Sequence, residues 1–148
     1  MAHPVSGTLV GNTHILPVRV YYEDTDFSGI VYHANYLRFM ERGRSDCLRL
    51  MGIHHSELGT GEAPVAWTIL RMEIDFKRPA RIDDLLEVHT AYTGMTGARL
   101  YASQKVVKQG TDLVRADIHA ACITLDGKPT RIPRGAREIL QQHLGPLA

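Results

Sequence analysis

One stretch with helical spacing stands ahead of a long run of alternating apolar residues, and that change of period limits the folds open to the chain. From Ala34 to Met51, Tyr36, Met40, Gly43, Cys47 and Met51 recur at steps of three or four, with Leu37, Leu48 and Leu50 widening the stripe. This predicts an amphipathic helix of about five turns, stopped by Gly52. Gly43 lies on its apolar side, at a cost of about 1 kcal/mol relative to Ala, which close packing against a sheet would justify. Before the helix, Leu16, Val18, Val20 and Tyr22 alternate within His14 to Asp24, predicting a strand with Tyr22 on its buried face. After it, Ala63 to Phe76, Leu85 to Thr93, Arg99 to Val107 and Leu113 to Leu125 read as strands. The segments RPARIDD, GMTG, KQGTD and DGKP supply turn residues, and the second and third are short enough for hairpins. Gly135 to His143 predicts a short basic helix closing the chain.

The expected order is a strand, the long helix and four strands in antiparallel succession: an α+β fold with a sheet of about five strands. A length of 148 residues suits one domain spanning residues 1–148, with its core at about residues 14–135. One helix cannot cover both faces of such a sheet, so the fold calls for a second copy, by edge pairing or face packing.

Composition narrows the partners. The formal net charge of +1 gives no general attraction to nucleic acid or an anionic membrane. Cys47 and Cys122 make neither a CxxC pair nor a disulfide framework, in keeping with a reducing compartment. The opening residues lack a basic and apolar leader pattern, and no apolar run reaches membrane-spanning length. The expectation is a cytoplasmic protein without integral membrane association.

Between the first strand and the helix lies YYEDTDFSGIVYHANYLRFME, which packs Glu23, Asp24 and Asp26, a Ser-Gly, a Tyr-His and an Asn into a dozen positions. A chain reversal needs only one Asp or Asn with a Gly, so so much like charge in one place points to chemistry. The longer run VRVYYEDTDFSGIVYHANYLRFMERGR, residues 18 to 44, resembles the signature of the YbgC-type acyl-CoA thioesterases of the 4-hydroxybenzoyl-CoA thioesterase family. MEIDFKRPARIDDLLEVHT, residues 72 to 90, resembles their second and third strands. The resemblance implies a hotdog fold, in which a long central helix is wrapped by a curved antiparallel sheet. It also implies dimers or dimers of dimers with active sites at the subunit interface, and no cofactor. It places the catalytic carboxylate on Asp26 and two further site residues on His33 and Tyr22. The substrates it implies are short-chain aliphatic or aromatic acyl-CoAs, with acyl carrier protein as a second possible carrier, and the YbgC likeness alone implies a Tol-Pal setting.

The residue types suit a thioester independently. The leaving thiol has an ordinary pKa of about 8.5 and departs without a strong general acid. What the site must supply is a polarised carbonyl and a nucleophile. Unpaired N–H groups at the start of the helix, near His33, can hold the developing oxyanion. Asp26, brought back across the Ser28-Gly29 turn, can attack the carbonyl to form a mixed anhydride or activate water as a base, and the sequence leaves both open. The same helix end favours an ionised Asp26, whereas Glu23 and Asp24 oppose it.

Plainer uses compete at several positions. Asp24 suits a turn or cap, and the Tyr22 ring suits core packing. Glu41, a rival carboxylate, lies about 12 Å along the axis from His33 and is expected to pair with Arg38, Arg42 or Arg44. Cys47 and Cys122 suit buried packing. His54-His55 lacks the spacing of a metal site, and no metal is expected. Lys77, Arg78 and Arg81, with Arg131, Arg134 and Arg137, are either solvated surface or contacts for coenzyme A phosphates. Two other functions fit the same pattern. A hotdog hydratase or dehydratase would leave the thioester intact, and a non-catalytic scaffold would only bind acyl carrier protein.

Overall fold

The structure, a computed structural model, describes residues 5–148. Its strands are β1 (Thr8–Val10), β2 (Thr13–Arg19), β3 (Val65–Phe76), β4 (Leu85–Met95), β5 (Arg99–Lys108) and β6 (Thr111–Thr124). The helices are α1 (Asn35–Met51), α2 (His55–Leu58) and α3 (Arg134–Gln141), and Tyr22–Asp24 forms one 3-10 turn. All strands pair antiparallel in one open, curved sheet of order β1-β2-β4-β5-β6-β3. The α+β class and the long helix are as expected.

Among the described residues the strands number six, against the about five expected. β1 is too short to show a period and is held by a two-residue turn at Gly11-Asn12, with Gly11 at φ +63°. The four later strands also do not pair in simple succession: β4, β5 and β6 do, but β3 crosses to the far edge and pairs with β6. Both expected hairpins form. The β5–β6 hairpin turns through Gln109 and Gly110, both with positive φ, as a right-twisted two-residue turn requires.

Tyr36, Phe39, Met40, Gly43, Cys47 and Leu48 form the buried face of α1, while Leu37 and Leu50 lie on its exposed side, outside the stripe expected of them. The helix packs chiefly on β4 and β2, then β5. Gly43 allows this approach: a Cβ there would sit 2.8 Å from the Val88 Cγ1 and 2.9 Å from the Thr90 Oγ1. α1 lies over β2, β4 and β5, and β3, at the edge, is left largely uncovered. Along β3, Ile69, Leu70 and Phe76 are exposed, and the ladder to β6 shifts register between Ile69 and Arg71. An apolar edge strand of this length invites pairing with another chain.

Candidate active site

The acid-rich segment folds into a narrow hairpin that delivers the chain to the start of α1. At its base the Asp24 carboxylate accepts the Tyr21 backbone N–H at 2.8 Å and the Asn35 side-chain amide at 2.6 Å. The Asp24 carbonyl accepts the Tyr32 N–H at 2.9 Å. One buried side chain thereby ties the 3-10 turn to the first residue of α1, the turn role expected of Asp24. Thr25 and Val31 then bridge, the Asp26 N–H donates to the Ile30 carbonyl at 2.9 Å, and Gly29 N–H donates to the Asp26 carbonyl at 3.0 Å. Gly29 has φ +82°, which a side chain would resist. The hairpin leans on the segment after β3, where Val31 N–H donates to the Ala80 carbonyl at 2.8 Å and the Ala80 N–H donates to the Tyr36 hydroxyl at 3.0 Å.

Asp26 sits at the exposed tip. Its Oδ1 accepts the Ser28 hydroxyl at 2.5 Å and the Ser28 backbone N–H at 2.8 Å. No hydrogen bond from a described residue reaches its Oδ2. The Ser28 hydroxyl, then its N–H, holds the Asp26 carboxyl below the usual carboxylate range against the opposing effect of desolvation, with a lesser contribution from the charge of His33. The Ser28 hydroxyl, to which the sequence reading assigned no role, is the main partner of the candidate carboxylate. An Asx-type turn, read from Asp-x-Ser, is the signal that could have found it.

His33 is exposed beside the first turn of α1. Its ring lies 4.6 Å from that of Tyr32 and 6.1 Å, edge to face, from that of Phe76. The backbone N–H groups of His33 and Ala34 have no acceptor among the described residues, whereas the N–H groups of Asn35, Tyr36 and Leu37 are engaged by the preceding turn. The open amides thus lie at the helix start, and the charge of His33 reaches Asp26 on the hairpin.

Tyr22 departs from expectation. β2 ends at Arg19 and Tyr22 opens the 3-10 turn, so its side chain leaves the strand alternation and is 83% exposed instead of buried. It makes no hydrogen bond or ring contact through its side chain with a described residue. Glu41 also differs: among the described residues it forms no ion pair with Arg38, Arg42 or Arg44, and Arg42 instead lies over the Phe39 ring at 6.0 Å. Cys47 and Cys122 are buried free thiols, and burial pushes Cys47 up to about 12. Packing, as expected, is their use.

A cavity of about 610 Å³ opens between α1 and β3, lined by Leu37, Glu41, Arg44 and Leu48 from the helix and by Trp67 and Met72 from the strand. It exists because α1 leaves β3 largely uncovered. A volume of this order suits a small organic ligand. Among the described residues no His, Cys, Asp and Glu group is arranged to hold a metal ion, and no helix is long and apolar enough to cross a membrane.

The sequence pattern of the thioesterase superfamily matches residues 28–115, beginning two residues beyond Asp26. The chain is 41% identical over 120 residues to the acyl-CoA thioester hydrolase YbgC of Escherichia coli, covering 80% of this chain and 88% of that one. It is 37% identical over 127 residues to the acyl-CoA thioesterase YbgC of Haemophilus influenzae, covering 85% and 93%. Among solved structures, a probable thioesterase from Bartonella henselae superposes with a TM-score of 0.80 at 43% identity, over 82% of this chain and 99% of the other. With this pattern, these relatives and a hotdog arrangement of helix and sheet, the chain belongs to the thioesterase superfamily and is a thioester hydrolase.

Proposed function

We propose that the protein hydrolyses acyl-CoA to a free carboxylic acid and coenzyme A, with Asp26 as the reacting carboxylate. The observation that carries this reading is a carboxylate anchored through one oxygen and open at the other, near enough to His33 for its charge to be felt, with the His33 and Ala34 amides unengaged at the start of α1. With the thioester oxygen against the His33 and Ala34 N–H groups, charge developing on that oxygen meets preorganised donors and the positive end of the helix. The free Oδ2 of Asp26 then attacks the carbonyl carbon or takes a proton from attacking water. The bonds to Ser28 fix the carboxylate and keep it ionised at neutral pH. His33 orients the thioester or the water. Tyr22, exposed with a free hydroxyl, meets substrate at the mouth of the site rather than bracing the carboxylate.

The acyl groups to be tested first are short-chain aliphatic and aromatic ones, on coenzyme A and on acyl carrier protein. The exposed apolar edge of β3 supports a homodimer formed through that strand, alone or as a dimer of dimers. The deciding experiment incubates the purified protein with an acyl-CoA panel and follows free thiol with a thiol-reactive dye. Thiol released in step with free acid is expected. A folded protein that releases no thiol from any member of the panel overturns the proposal, and an altered acyl chain on intact coenzyme A would assign a hydratase or dehydratase instead.

A further inference from the structure

An imidazole that orients a thioester or a water has to be held at one angle, normally by packing and a hydrogen bond to its ring. The ring nitrogens of His14, His89 and His143 have hydrogen-bond partners, whereas those of His33 have none among the described residues. What meets the exposed His33 ring is aromatic. Tyr32, 4.6 Å away, is its chain neighbour, is 47% exposed, and bonds no described residue through its hydroxyl, so its ring has no anchor of its own to lend. Phe76 comes from a different element, the last position of β3, and stands 6.1 Å from His33 with the rings at 84°. In an edge-to-face pair the positive rim of one ring meets the negative face of the other, which favours an angle as well as a distance.

Phe76 is itself braced. Its backbone pairs opposite Val114 on β6, and the N–H of the next residue, Lys77, donates to the Leu113 carbonyl at 2.8 Å. Its ring lies 5.9 Å from that of Tyr36. Tyr36 is buried, meets the fully buried Phe39 edge to face at 6.1 Å, and accepts the Ala80 N–H on its hydroxyl at 3.0 Å. A continuous line of ring contacts therefore runs from the core through Phe39, Tyr36 and Phe76 to His33, and only its last member stands free on one side. With 49% of its surface exposed, Phe76 gains only part of the burial available to a core phenylalanine. What its ring adds is the contact to His33.

We infer that Phe76 is a positioning residue, whose ring carries the rigidity of the core to the His33 imidazole and fixes the angle at which that imidazole meets the thioester or the water. This rests on the thioesterase reading above and on the part His33 plays in it. Phe76 takes no part in bond breaking and acts only through His33.

The test joins a spectrum to a double-variant cycle, both on the full chain. In a proton–carbon correlation spectrum the ring signal of His33, assigned by its loss in His33→Gln, should shift in Phe76→Leu, because the ring current of Phe76 is gone. The signals of His14, His89 and His143 should stay in place. With the best acyl-CoA of the panel, kcat should fall about three- to tenfold in Phe76→Leu, the scale of one aromatic pair, while Phe76→Tyr, which keeps the ring, should stay within about twofold of wild type. Adding Phe76→Leu to His33→Gln should lower kcat no further, since residues that act through one another are not additive. Circular dichroism and gel filtration check that each variant folds and assembles as the wild type does, and Phe76→Met replaces Phe76→Leu if the latter does not fold. An unmoved His33 signal, a wild-type kcat in folded Phe76→Leu or in His33→Gln, or losses that multiply in the double variant overturns the inference while the thioesterase reading stands. Release of no thiol by the wild type from any member of the panel removes that reading and the inference with it.

Discussion

Asp24 and Asp26 stand two residues apart on one hairpin and differ in every respect that matters to a carboxylate. Asp24, at the base, is buried and spends both oxygens on the chain, binding the Tyr21 N–H and the Asn35 amide. Asp26, at the tip, is exposed and spends one oxygen on Ser28. The base fixes where the tip points: a loop carrying a reactive group has to be anchored by something that does not itself react. Under the proposed function one acid serves stability and the other turnover, and the contrast can be broken from either side.

The largest effect on stability is expected at the base. Asp24→Ala leaves the part-buried Tyr21 backbone N–H and the Asn35 amide without their acceptor, which should cost about 2–4 kcal/mol at the scale of hydrogen bonds to charged groups. For a domain of this size that is a melting temperature lower by roughly 5–12 °C, measurable by thermal unfolding. Turnover should fall as well, since α1 and the tip lose their common tether. A variant with unchanged melting temperature would show that Asp24 is not the anchor.

A smaller and pH-dependent effect is expected well away from the hairpin, at His14. Its ring is fully buried, with Nε2 2.7 Å from the Asp46 Oδ2 and Nδ1 unpartnered. Burial lowers its pKa from the ordinary value of 6.5, outweighing the pull of Asp46 in the other direction. The folded protein therefore holds His14 neutral while the unfolded chain protonates near 6.5. The stability from this group is complete above 6.5 and is lost as pH falls from there toward the lowered folded value. Denaturant titrations across that range should show the decline, and His14→Gln should flatten it.

At the tip, Ser28→Ala should act on pH dependence more than on rate. Ser28 is the main reason the Asp26 carboxyl lies below its usual range. Removing its hydroxyl moves the acid limb of kcat/KM upward in pH, with activity at neutral pH changed only a few-fold. An unmoved limb would mean that the limb does not report Asp26. The smallest effect is expected for Tyr22→Phe, whose hydroxyl touches no described residue: the hydrolysis rate should stay within about threefold, one hydrogen bond to solvent or substrate being at stake.

The fold was legible where periodicity carried the information. The spacing from Tyr36 to Met51 gave α1 to within one residue, and Gly43 marked the close contact with Val88 and Thr90. Pairing was less so. Alternation locates β3 as a strand but says nothing of its crossing to β6, because long-range order depends on the whole sheet. Tyr22 shows how local chemistry defeats a pattern: it continues the alternation of Val18 and Val20, but Asp24 draws Tyr21 into a 3-10 turn and the ring swings out. The acid cluster marked the segment, but the choice of Asp26 and His33 within it came from the family resemblance. The His33–Phe76 contact was not legible, since it joins a helix start to a strand end far apart in the chain.

The most direct measurement is the rate of coenzyme A release by Asp26→Asn, normalised to the folded fraction. Asn keeps the shape and an acceptor for Ser28 but removes the charge, so the account predicts a fall of at least about a hundredfold with the melting temperature unchanged. A folded Asp26→Asn protein that releases coenzyme A within a few-fold of the wild-type rate would contradict it.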